Sequence, residues 1–147
     1  MHIIADPIRA LRGVQRVLRH AGVFACSVWA DDDPRWGWES ELFAQCGAQS
    51  PRTPRDLSNS DKLTTLLGDD WTDVRIRTSE YTATLHDEDE CWAWKWSYGI
   101  RGALEALDQA ARARLKAAAF ERMQAQREPS GFPVQLRALL ATIRKQQ

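Results

Sequence analysis

Seven tryptophans fall in a chain of 147 residues, and their spacing is the feature most able to carry chemistry. Trp92 and Trp96 stand four apart and share one helical face, with Lys95 and Gly99 adjacent, while Trp94 and Tyr98 share another. One such face, joined by Trp29, Trp36 and Trp38, would wall a pocket for a flat or polyene-like apolar ligand. Tyr98 would be its polar handle, because a phenol with an ordinary pKa of about 10 donates a hydrogen bond. The same spacing also fits a structural role, with one aromatic face packed on a sheet, the other filling a dimer interface, and Tyr98 half buried there.

The other reactive side chains read as bland. Cys26, Cys46 and Cys91 are odd in number and widely spaced, without the pairing of a zinc site or a disulfide framework. Cys26 alternates with Phe24 and Val28 and reads as a small apolar strand residue. His2, His20 and His86 make no ligand set, so no metal is expected. The runs Asp31-Asp32-Asp33 and Asp87-Glu88-Asp89-Glu90 read as solvated charge, the second at a helix start where the dipole favours acids.

These residues need elements to hold them. Asp6 caps a helix of about three turns through Pro7, Ile8, Leu11, Val14 and Val17 or Leu18. Val23 to Trp29 is a continuous apolar run between Gly22 and Asp31, which predicts a strand buried on both faces. From Ala30 to Asn59 periodicity fails around Pro34, Pro51 and Pro54, although Trp38 to Gln45 fits a short helix. Asn59 or Ser60 opens a helix through Leu63, Leu66 and Leu67 that ends near Gly68. Val74 to Leu85 alternates as one strand with a bend near Ser79. Helical patterns then cover Asp87 to Leu107 and Asp108 to about Gln126, and Val134 to Ile143 is a final strand after the turn at Pro129-Ser130-Gly131.

The balance of 20 basic and 20 acidic residues offers no field for nucleic acid or an anionic membrane. No apolar run approaches membrane-spanning length, and no signal peptide is visible, so a cytoplasmic protein is expected. A hydrophobic fraction of 44% supports one domain with a core.

The run Ala5-Asp6-Pro7-Ile8-Arg9-Ala10-Leu11, followed by Val17-Leu18-Arg19-His20-Ala21-Gly22-Val23-Phe24-Ala25-Cys26-Ser27-Val28-Trp29, resembles the second half of a class I S-adenosylmethionine-dependent methyltransferase. Leu63 to Val74, the cluster Trp92-Ala93-Trp94-Lys95-Trp96-Ser97 and the stretch Phe132 to Arg144 extend the likeness over nearly the whole chain. It implies an α/β fold, a partial Rossmann-like methyltransferase fold with a small mixed sheet of about three strands and helices. The strands from Val23, Val74 and Val134 would form one edge of the family sheet, with the last antiparallel. Residues 1–147 would be a single truncated domain, with an insertion or lid at about 30–59 and a helical substrate-side segment at about 87–126.

The likeness starts at Met1 without the half that grips the cofactor. No Gly-x-Gly occurs in the chain, so the glycine turn of that family is not found. The resemblance implies a Trp-Ser-His-Gly segment where the chain has Trp96-Ser97-Tyr98-Gly99, which turns a proton acceptor into a donor suited to polarising a carbonyl or enone. It also puts His2 where relatives carry a residue facing the substrate. The catalytic candidates are therefore Tyr98 and His2, with Trp29, Trp36, Trp38, Trp92 and Trp96 on the substrate.

Three functions remain open. The first is a cyclase or pericyclase of secondary metabolism, working on an apolar substrate without S-adenosylmethionine or any other cofactor. The second is a methyltransferase completed by another chain, which alone would bring S-adenosylmethionine, and the third is a non-catalytic binding or regulatory subunit. An apolar strand left without its neighbour also implies a homodimer or a partner chain along the exposed edge.

Overall fold

The computed structural model describes residues 4–31, 33–48, 57–97 and 100–146. Its helices and strands alternate in an α/β order, and the chain divides into two compact units. The first takes Met1–Asp31, Thr53–Tyr81 and Arg137–Gln147, and the second Asp32–Arg52 and Thr82–Leu136.

In the first unit, helix α1 (Pro7–Val17) starts as its sequence requires. The Asp6 side chain accepts from the Arg9 backbone N–H, and Pro7 occupies the first turn, where no donor is needed. At the other end the Lys145 ammonium donates to the carbonyls of Gln15 and Leu18 at 2.6 and 2.8 Å, satisfying acceptors that a helix end leaves over. Strand β1 (Val23–Trp29) follows a turn whose Ala21 has φ 56°. Helix α3 (Ser60–Leu67), which comes after a second-unit helix α2 (Trp38–Gln45), is capped by Asn59 accepting from Lys62 N–H and closes on Gly68 at φ 64°.

Strands β2 (Trp71–Leu85) and β3 (Phe132–Lys145) complete a three-stranded sheet in the order β1-β3-β2. Val23 pairs with Arg144 and Trp29 with Ala138, so β1 and β3 are antiparallel. Thr72 bonds the Arg144 carbonyl and Glu80 meets Arg137, so β2 is antiparallel to β3 as well. The expectation of a mixed sheet is corrected: every neighbouring pair is antiparallel, because the closing strand enters between the other two. It is antiparallel to both, so β1 and β2 run in the same direction.

The expectation that β1 is buried on both faces is also corrected. Phe24, Cys26 and Val28 pack with Leu11, Val14 and Leu18 of α1, Leu63 and Leu67 of α3, and Leu139, Ala141 and Ile143 of β3. The alternate residues Val23, Ala25, Ser27 and Trp29 are exposed. Among the described residues, helices pack on the Phe24, Cys26 and Val28 side only, so an apolar run becomes a strand with one buried face. Trp71, Thr72 and Asp73 begin β2, ahead of the Val74 start expected for this strand. Asp73 sits at φ 51°, a left-handed conformation that aspartate tolerates, and this extra residue lets Trp71 and Ile76 reach the same core although they are five apart.

The second unit gathers α2 with helices α4 (Glu88–Lys95), α5 (Arg101–Glu105) and α6 (Gln109–Met123), beside the end of β2 and the start of β3. Asp87 and Asp108 cap α4 and α6 by accepting from Glu90 and Ala111 N–H. The single helical region expected over Asp87 to Leu107 is instead α4 and α5. The N–H groups of Trp96 and Ser97 bond back three residues, to Ala93 and Trp94, which tightens and ends α4. Residues 33–48, expected within an insertion or lid, are packed into this unit, with Trp36, Leu42 and Phe43 buried beside Cys91, Trp92, Leu104, Leu115 and Phe132.

Candidate functional site

The second unit holds a charge where the sequence pattern offers only tryptophans. Lys95, in the last turn of α4, is 2% exposed, and its ammonium lies 2.5 Å from the Glu39 carboxylate on α2. The same nitrogen sits 5.0 Å from the Trp36 ring centre and 4.7 Å from that of Trp94, within cation–π range. Trp36 is fixed in turn: its indole N–H donates to the Pro133 carbonyl at 3.3 Å, and its ring lies 6.1 Å from that of Trp38. The Trp38 indole nitrogen is buried with no acceptor among the described residues. Burial of a charge is tolerated here because a carboxylate and two ring faces replace its hydration.

A second buried charge is Asp33. It caps a short 3-10 turn at Pro34–Trp36, takes two hydrogen bonds from the Arg35 guanidinium on one oxygen and accepts the Gln135 N–H of β3 at 3.0 Å. The Arg35 hydrogen bond, opposed by burial and helped by the N–H donors, holds its carboxyl below the usual carboxylate range. The reading of the first acidic run as solvated charge is therefore corrected at Asp33. In the second run Glu88 pairs with Arg127 and Gln124, Asp89 with Lys116, and Glu90 with the ring and N–H of His86. Sequence reasoning missed Lys95, Glu39 and Asp33 because a buried charge is recognised only by what surrounds it.

Tyr98 and His2 lie outside the described residues. Trp36 and Trp92 are buried in the second unit's core, with Trp38, Trp94 and Trp96 partly buried against it. Trp96 carries the Arg112 guanidinium 5.3 Å above its ring, and Arg112 itself donates to the Leu104 and Leu107 carbonyls at the end of the α5 region. A shallow, open recess of about 210 Å³ is lined by Trp92, Gln109, Arg112, Ala113 and Lys116. Trp29 belongs to the first unit and is half exposed. The structure thus gathers Trp36, Trp38, Trp92 and Trp96 into one cluster, and Trp29 is not part of it.

The first unit presents a different feature. The Ala30 N–H donates to the Arg137 carbonyl and the Lys145 N–H to the Gly22 carbonyl, so even-numbered residues of β1 turn their backbone groups toward β3. In an antiparallel ladder the odd-numbered residues Val23, Ala25, Ser27 and Trp29 then turn theirs the other way, toward the sheet edge. Just past the strand on that side, the Asp31 N–H donates to the Ser58 carbonyl at 3.1 Å.

Burial raises the Cys26 thiol and pushes that of Cys91 up to about 11, so neither is activated as a nucleophile. Among the described residues no group of three His, Cys, Asp or Glu side chains is placed to hold a metal, and no helix is long and apolar enough to cross a membrane. No protein-family model and no curated protein matches the chain.

Proposed function

We propose that this chain is the substrate-side portion of a methyltransferase-like α/β domain, acting on an apolar small molecule when strands that bind S-adenosylmethionine join it along β1. The observation that carries the reading is the strand order β1-β3-β2, which sets β1 at the end of the three-stranded sheet. The strand direction supports it too, since the closing strand β3 is antiparallel to β1 and β2, as the sequence resemblance implies. Helix α1 leading directly into β1 agrees with the motif on which that resemblance rests. The substrate side falls to the second unit, whose recess at Trp92, Arg112 and Lys116 is lined mostly by apolar atoms.

The cofactor-free cyclase is less well supported, because Trp36 and Trp92 are used as core and Trp29 belongs to the other unit. Calorimetric titration with S-adenosylmethionine separates the readings. The chain joined to the polypeptide encoded immediately upstream should bind the cofactor, and Ala25→Pro, which removes an edge N–H without touching the β3 ladder, should abolish that binding. No binding by the joined preparation overturns the proposal. Micromolar binding by the chain alone also overturns it, by moving the cofactor site into these residues.

A further inference from the structure

Arg112 is a cation held in place without a counter-ion. Its Nε donates to the Leu104 carbonyl at 3.1 Å, one terminal nitrogen reaches the carbonyls of Leu107 at 3.0 Å and Glu105 at 3.5 Å, and the guanidinium lies 5.3 Å above the Trp96 ring. All these partners are neutral, so they orient the group and leave its charge uncompensated. The carboxylates nearest in sequence are engaged elsewhere, Glu105 on Arg101 and Asp108 on the Ala111 N–H at the start of α6. One turn further along α6, Lys116 is neutralised by Asp89 at 2.8 Å. Among the described residues no carboxylate pairs with Arg112, and its other terminal nitrogen makes no hydrogen bond.

The same side chain lines the recess of about 210 Å³ that it shares with Trp92, Gln109, Ala113 and Lys116. Gln109, Arg112, Ala113 and Lys116 follow the spacing of one helical face, so α6 presents them together beside Trp92 of α4. That volume is below the roughly 300–1,000 Å³ of pockets for drug-sized ligands, which limits an occupant to a small body. Trp92 and Ala113 offer it apolar surface, and Arg112 offers fixed N–H donors and a charge for one acidic group.

We propose that the recess takes a small flat apolar acid, with its ring system against Trp92 and its carboxylate on Arg112. The inference rests on placing the substrate in the second unit, and it narrows that substrate from any apolar molecule to one bearing a negative charge. A fixed guanidinium favours such an anion over its neutral ester, because its hydrogen bonds to a carboxylate are charge-assisted.

The test is equilibrium dialysis of the whole chain against naphthoate and against its methyl ester, at neutral pH where the acid is ionised. The acid should bind about 10-fold or more tightly than the ester, and Arg112→Gln should abolish that preference while leaving ester binding unchanged. An Arg112 that serves only to cap the α5 carbonyls would instead lower acid and ester binding alike, which overturns the proposal. So does a preference that survives Arg112→Gln or is lost only in Lys116→Gln. Equal binding of acid and ester by the parent, or no binding of the acid, overturns it without any variant, so the test stands even where Arg112→Gln fails to fold. Each of these failures leaves the cofactor reading to its own calorimetric titration with the joined preparation. Failure of that titration with the acid preference intact would remove the cofactor reading and keep the anion site.

Discussion

Lys95 and Glu39 form an ion pair of 2.5 Å between α4 and α2, closed over by tryptophan rings. Removing one member of such a pair leaves the other charge without its partner, which costs about 3–5 kcal/mol, whereas replacing both by apolar groups of similar volume is close to neutral. Lys95→Met and Glu39→Leu should therefore each lower the free energy of unfolding by about that amount, and the double variant should recover most of it. Urea unfolding of the three variants checks this. Losses that simply add would show that the two groups do not act as a pair.

Asp33 gives a pH dependence of known sign. Its folded pKa lies below the ordinary value of about 3.9, chiefly through the Arg35 hydrogen bond. The stability it contributes is fully present above the unfolded value and is lost as pH falls through the folded one. Stability should decline in acid below about pH 4, and Asp33→Asn should flatten that decline while costing about 1–3 kcal/mol at neutral pH. Denaturation midpoints collected from neutral to acid pH decide it; an unchanged acid slope would assign the decline to other carboxylates.

Gly131 stands at φ 123° at the entry to β3, and a Cβ built there would come within 2.2 Å of the Leu85 carbonyl oxygen at the end of β2. Gly131→Ala should destabilise the chain by about 2 kcal/mol or more, since strain and a backbone clash act together. Thermal unfolding measures the loss. A melting temperature equal to the parent's would mean that the turn relaxes freely.

Trp36 and Trp96 separate packing from binding. Trp36→Ala empties a buried site that also donates a hydrogen bond to Pro133, and should cost about 3–5 kcal/mol. Trp96, partly buried beneath Arg112, should cost less stability but weaken capture of an apolar substrate through lost contact area. Paired unfolding and substrate-binding measurements on both variants test this. Equal stability losses, with binding untouched by Trp96→Ala, would make the cluster structural throughout.

Much of the local architecture was legible in the residues themselves. Asp6 with Pro7, Asn59 with Gly68, and the β-favouring run Val23 to Trp29 declare their helix ends and strand because caps, glycine and β-branched residues act on their nearest neighbours. The three strands and their helices, and the antiparallel direction of the last strand, followed from those local signals together with the resemblance.

The tertiary structure alone decided what the elements face. The run at Val23 could not announce that helices would cover one side of it, since burial is a property of layers and not of a strand. Nor could spacing announce that Lys95 would be buried: its helical position is adjacent to Trp92 and Trp96, but its partner Glu39 comes from a helix more than 50 residues away. Asp33 is the same case, solvated by the look of its run and buried in fact by Arg35 and Gln135. Sequence fixes short-range preference within a few residues of backbone, whereas the free energy of a buried charge or an open edge depends on neighbours that only folding brings together.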